Sequence, residues 1–256
     1  MSRLSLALTL SLTALASACV DNNADSGLVL LRNIAPTEGC VVSTSGEVSQ
    51  ASGVIDVASR VGYVLTPLLR NDLVTVEGES TTAKSIFVNG AKVTIEFYDP
   101  DLFTAAEVET MTTDGLVRFI APTSGAIEPN GGLQTYQLEV VPSELMAKIA
   151  PKLLVTTTEP NPSTVLDLHV QFFGERASGD SVSSNTFRYP VEVCKGCLTH
   201  VVGACEGLPT DVEYQVGGLC NRDQDGVTDC CTDPLGALVC PAIGVEPQPT
   251  ALPPTN

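Results

Sequence analysis

The sequence predicts an all-β protein: a sandwich of short strands followed by a small disulfide-rich appendix. Three observations predict it. Apolar and polar residues alternate with period two through much of positions 28–193, clusters of Gly, Pro, Asn and Ser interrupt that alternation at short intervals, and seven of the nine cysteines fall in the last quarter of the chain.

Three segments alternate most cleanly. In Val165 to Phe172, Leu166, Leu168, Val170 and Phe172 share one face, while Asp167, His169 and Gln171 share the other. In Thr186 to Val193, Phe187, Tyr189, Val191 and Val193 oppose Thr186, Arg188 and Glu192. Lys92 to Tyr98 sets Val93, Ile95 and Phe97 against Lys92, Thr94 and Glu96. Each predicts a strand with one buried face. Further strands are expected at Leu28 to Ile34, Cys40 to Ser43, Gly53 to Val57, Tyr63 to Leu69, Leu116 to Ile120 and Tyr136 to Val141. Gly174 to Ser184 is expected to be the tip of an extended hairpin. Only two short helices are predicted: Thr104 to Met111, with Thr104 and Glu107 at capping-box spacing, and Ser143 to Ala150 between two prolines. Many short strands without β-α-β alternation point to an immunoglobulin-like β-sandwich.

The domain boundaries follow the texture of the chain. Residues 28–193 form the sandwich, 194–243 the Cys-rich appendix, and 244–256, rich in proline, a loose tail. A chain of 256 residues with 43% apolar residues suffices for a sizeable core. The formal charge of −17 repels phosphate backbones, which excludes nucleic acid as a partner and leaves protein or glycan.

Residues 1–18, MSRLSLALTLSLTALASA, carry one early arginine, a short apolar run and small residues before Cys19. That pattern predicts a secretory signal peptide, since a spanning helix needs about 20 strongly apolar residues. The junction Leu15-Ala16-Ser17-Ala18-Cys19 resembles the lipobox of bacterial lipoproteins, with Ala16 where that family usually has Leu. The resemblance implies lipidation of Cys19. Cleavage after Ala18 by the ordinary signal peptidase is the alternative. Val20, where an Asp would favour inner-membrane retention in such lipoproteins, implies an outer-membrane address. Residues 19–27 then form a lipid-anchored tether, with about 25 Å of reach beyond the cysteine.

Nine cysteines would leave one thiol over in an oxidising compartment. Lipid on Cys19 removes the odd one, and Cys40, Cys194, Cys197, Cys205, Cys220, Cys230, Cys231 and Cys240 then close four disulfides. Seven of these lie in the appendix, so one must reach back to Cys40. Cys194 or Cys197, just after the last sandwich strand, are its natural partners, closing a loop of about 155 residues worth roughly 5 kcal/mol by chain entropy. The remaining pairings stay open, except that Cys230 with Cys231 would strain an adjacent bridge.

No catalytic residue is predicted. The histidines are His169, solvated on a polar strand face, and His200; no G-x-S-x-G elbow, His-Glu-x-x-His helix or glycine-rich phosphate loop occurs. Cys194, Cys197, His200 and Cys205 have the types of a zinc site, and Cys194-x-x-Cys197 those of a redox pair, but export favours disulfides. A carboxylate hydrolase stays open because its acids meet only in three dimensions.

The segment Asn221 to Thr232 spaces oxygens at loop positions one, three, five and nine around a glycine, as calcium's six to eight oxygen ligands require. It resembles the Asp-rich loops of EF-hands, dockerins and thrombospondin type 3 repeats. That resemblance implies Asn221, Asp223, Asp225 and Asp229 as side-chain ligands and Val227 as a carbonyl ligand. Thr232 stands where those families place a bidentate acid. The alternative is an acidic turn held by its neighbouring cysteines.

Val193-Cys-Lys-Gly-Cys-Leu, Gly218-Leu-Cys-Asn, Asp229-Cys-Cys-Thr-Asp and Leu238-Val-Cys-Pro together resemble the carboxy-terminal part of uncharacterised myxobacterial lipoproteins, over about residues 160–243. The resemblance implies an envelope protein and brings no activity. The expected function is therefore an exported, lipid-anchored, non-catalytic binding or structural module, with a calcium-dependent interaction module and a carboxylate hydrolase as alternatives.

Overall fold

The computed structural model describes residues 27–59, 61–78, 80–154, 161–209 and 211–242. The expected signal peptide, Cys19 with most of its tether, and the proline-rich tail lie outside them. In chain order the strands are β1 (Leu28–Ile34), β2 (Ser49–Gln50), β3 (Gly53–Asp56), β4 (Tyr63–Leu65), β5 (Pro67–Asn71) and β6 (Ile86–Phe97). Helix α1 (Ala105–Thr113) precedes β7 (Arg118–Ile127), β8 (Gly132–Thr135) and β9 (Leu138–Val141), and α2 (Ser143–Ile149) follows. Then come β10 (Ser163–Arg176), β11 (Ser181–Ser183), β12 (Phe187–Cys194), β13 (Thr199–Ala204), β14 (Thr228–Thr232) and β15 (Leu238–Val239).

The protein is all-β and sandwich-like. One sheet runs β2-β1-β5-β8, and the larger runs β3-β12-β10-β6-β7, with β11 folded back onto β10. A β4-β9 ribbon and the β13-β14-β15 sheet of the appendix complete it. The large sheet is antiparallel except at its edge, where β3 runs parallel to β12. Leu28, Leu30 and Leu69 of the first sheet share one core with Val93, Ile95, Leu166, Leu168, Val170 and Phe172 of the second. Met111 of α1 and Leu145, Met146 and Ile149 of α2 join the same core. Each such side chain contributes roughly 1.5–3 kcal/mol over exposure.

The three cleanest alternations fall in β6, β10 and β12, three adjacent strands of this sheet. β10 alternates buried and half-buried residues along almost its entire length. The expected strand Tyr63 to Leu69 is two strands in two different sheets. Asn33 causes the break: its Oδ1 accepts the Thr66 N–H at 2.7 Å, while the Thr66 carbonyl accepts the Ile34 N–H at 3.0 Å. Pro67, lacking an N–H, then opens β5. Cys40 to Ser43 forms no strand, only a bridge between Thr37 and Val41. The hairpin tip shortens to residues 177–180, because β10 runs on to Arg176 and β11 pairs back.

Both expected helices form. α1 starts on the expected capping box, with the Thr104 N–H donating to Glu107 at 2.7 Å. No helix among the described residues is long and apolar enough to cross a membrane.

Four disulfides join Cys40 to Cys220, Cys194 to Cys197, Cys205 to Cys231 and Cys230 to Cys240. All eight cysteines after Cys19 are thereby paired, as befits an oxidising compartment. Cys40 does reach the appendix, but its partner is Cys220, 180 residues away, rather than Cys194 or Cys197. The reason is local. Cys194 and Cys197 lie across one turn, whose Gly196 N–H donates to Asp56 at 2.7 Å, and they close on each other.

Candidate functional site

The Asp-rich segment folds onto the open edge of the sandwich and forms a seam. Asp223 offers its carbonyl to the Asp56 N–H at 3.0 Å, and the Asp225 N–H donates to the Val54 carbonyl at 2.9 Å, so the loop extends β3 like a short strand. Gln224 does the same for β4 with its side chain. Its Oε1 accepts the Val64 N–H at 2.9 Å and its Nε2 donates to the Val64 carbonyl at 2.8 Å. One amide thus satisfies both polar groups of a residue that would otherwise be left unpaired at a sheet edge.

Asp225 carries the centre of the seam. Its backbone adopts φ +57°, a left-handed conformation that Asp tolerates better than most residues. From there Oδ1 accepts the Val54 N–H at 2.8 Å, and Oδ2 accepts the Tyr63 hydroxyl at 2.8 Å and the Gln224 Nε2 at 3.0 Å. Since Tyr63 spends its one proton on Asp225, Tyr189 must donate to Tyr63 across 2.9 Å, and Asn33 Nδ2 donates to Tyr189 at 3.3 Å. The result is a one-directional chain, Asn33 to Tyr189 to Tyr63 to Asp225, through two fully buried rings. Burial, and after it the Asp225 carboxylate, pushes the Tyr63 phenol far above its ordinary range. Burial pushes Tyr189 up to about 12.

The other sequence-predicted ligands are also committed within the protein. Asn221 Nδ2 reaches the Gly62 carbonyl at 3.4 Å, and its Oδ1 accepts the Asp223 N–H at 3.2 Å. Asp223 Oδ1 lies 3.3 Å from Arg222 Nε. The Val227 carbonyl accepts the Gly217 N–H at 3.1 Å. Asp229 accepts the Gln215 N–H at 2.7 Å and pairs with His200 Nδ1 at 2.7 Å, and these contacts, the backbone one first, hold its carboxyl below the usual range. The five residues implied by the calcium-loop resemblance therefore sit in a clasp whose oxygens already meet protein donors. The cysteines of the zinc-type set are all in bridges.

The seam leaves a shallow groove of about 200 Å³ between Pro36, Gln50, Cys220 and Asp225. A larger open groove of about 330 Å³ runs beside α1, lined by Glu96, Asp99, Phe103, Val108 and Arg118.

One constellation escaped the sequence. On the solvent face of the large sheet, register sets Glu96 opposite Asp167, and His169 between Thr94 and Arg188. Among the described residues, Glu96, Asp167 and His169 are the one trio of metal-ligating side chains whose donor atoms all lie within 4.8 Å of one another. The signal was visible as polar-face residues on two strands, but the sequence does not say which strand lies beside which.

No protein-family model matches the chain, and no curated protein matches it as a relative.

Proposed function

We propose that this chain is an exported, lipid-anchored protein of the cell envelope, and that it acts as a non-catalytic binding or structural module. The observation that carries the reading is the cysteine balance: Cys40, Cys194, Cys197, Cys205, Cys220, Cys230, Cys231 and Cys240 pair completely, which leaves Cys19 as the one cysteine without a structural bridge. A free thiol in an oxidising compartment is a liability, and a thioether to lipid removes it. The outer membrane is the address this reading assigns, through the lipobox and Val20.

The module reading rests on how the acids are used. Asp225 and Asn221 bind the appendix to the sandwich, while Asp229 ties the appendix together internally, so that both parts would be presented side by side on a short tether. A protein or glycan partner remains the class to seek. In the calcium-dependent alternative the same oxygens would have to exchange protein donors for an ion. In the hydrolase alternative, Glu96 and Asp99 are the acids that share the larger groove.

Metabolic labelling with palmitate tests the anchor directly. The expected result is a labelled mature protein whose label disappears in Cys19→Ala; an unlabelled wild-type protein overturns it. Thermal unfolding of chelator-stripped protein tests the module reading. An unchanged midpoint on adding millimolar calcium is expected, and a clear rise would transfer the assignment to the calcium-dependent module.

A further inference from the structure

We propose that Glu96, Asp167 and His169 form a divalent transition-metal site on the solvent face of the large sheet. His169 Nε2 lies 3.7 Å from a Glu96 carboxylate oxygen and 3.5 Å from an Asp167 oxygen. The atom itself is buried, and these two carboxylate contacts, both too long for good hydrogen bonds, are the polar contacts it makes among the described residues. These separations are long for hydrogen bonds but close to the spacing of ligands on one ion, since atoms about 2.1 Å from a shared zinc stand roughly 3.0–3.5 Å apart.

A second, independent observation points the same way. Glu96 and Asp167 are direct cross-strand partners in the β6-β10 register, a like-charge placement that repels in a sheet. A cation between them converts that repulsion into attraction. One imidazole nitrogen and two carboxylates suit zinc and its neighbours in the first transition row rather than calcium, which takes oxygen alone. Glu96 stands well out into solvent, so water completes the coordination.

Arg188 competes for the site. Its guanidinium contacts the same Asp167 oxygen that faces His169, and it is largely exposed. A carboxylate has about four lone-pair directions, so Asp167 can serve Arg188 and an ion together, at the expense of repulsion between the two cations. Removing Arg188 therefore strengthens binding, whereas a merely structural salt bridge predicts no such gain.

The test uses the full chain, purified without a histidine tag and titrated with zinc by calorimetry. Imidazole nitrogen NMR reads the two histidines separately, and His200, paired with Asp229, is the internal control. The expected result is one zinc per chain that perturbs His169 Nε2 before His200. Affinity falls at least tenfold in His169→Gln and in Glu96→Gln, and rises several-fold in Arg188→Gln. Wild-type circular dichroism in the variants separates ligand loss from unfolding. The proposal is overturned by no zinc binding at millimolar concentration, by perturbation of His200 first, or by unchanged affinity in folded His169→Gln and Glu96→Gln.

Discussion

Replacing Tyr63 with Phe removes one oxygen from the middle of the seam and leaves the ring in place. Tyr63 is fully buried, and its hydroxyl donates to Asp225 Oδ2 at 2.8 Å while accepting from Tyr189 at 2.9 Å. A hydrogen bond to a charged group contributes about 1.5–3 kcal/mol and a neutral one about 0.5–1.5 kcal/mol. Against this loss stand partners that persist: Asp225 Oδ2 keeps Gln224 Nε2 at 3.0 Å, and Tyr189 keeps Asn33 Nδ2 at 3.3 Å. The ring fills its old volume, so no large cavity opens. The expected net destabilisation is about 2 kcal/mol. Because the chain has no tryptophan, unfolding in denaturant is best followed by far-UV circular dichroism with the disulfides intact. A double-mutant cycle with Asp225→Ala isolates the pair, and a coupling of about 1.5–3 kcal/mol is expected. A coupling below about 0.3 kcal/mol would mean that Asp225 and Tyr63 are neighbours without being partners, and the account of the seam would fail.

Gly53→Ala should destabilise by at least about 1–3 kcal/mol, since the new Cβ would stand 2.1 Å from the anchored Tyr63 hydroxyl; an unchanged melting temperature refutes the packing of that ring on β3. Replacing both Cys40 and Cys220 with Ser opens a loop of 180 residues and should cost about 5 kcal/mol by the chain-entropy relation; a small loss in a denaturant titration contradicts that bridge as a main fastener of the appendix. At alkaline pH the Tyr189 phenol, raised from 10.0 to about 12, favours the fold fully below 10, and this contribution is lost as pH rises through 12. A shift of that size corresponds to roughly 2–3 kcal/mol, and tyrosinate absorbance should appear together with unfolding. For Asp229 the sign is opposite. Its depressed carboxyl stabilises the fold above the ordinary value of 3.8, and acid removes that contribution as pH falls through the lowered one, so the Gln215 amide should lose hydrogen-exchange protection first in acid.

The legible parts of this protein are those written in short-range pattern. Leu166, Leu168, Val170 and Phe172 announce a buried face because period two is a property of eight consecutive residues, and all four are fully buried. Thr104 and Glu107 announce a helix start because a capping box spans one turn. Tyr63 to Leu69 misled for the same reason: its composition reads as one strand, and the residue that divides it, Asn33, lies 33 positions away. The Asp-rich segment carries the spacing of an ion loop, yet its Asp225 and Gln224 take donors from Val54, Tyr63 and Val64, which lie 171, 162 and 160 residues upstream.

The sequence by itself determined the strand-rich class, the two helices and the cysteine-rich character of the last quarter of the chain. Each of these follows from local periodicity, capping or counting. Only the tertiary structure decided that Cys40 pairs with Cys220, that Asp225 ends a buried tyrosine relay, and that Glu96, Asp167 and His169 meet on one sheet face. Such facts depend on strand order and register, which are set by the joint burial of one core and so by contacts between residues far apart in the chain.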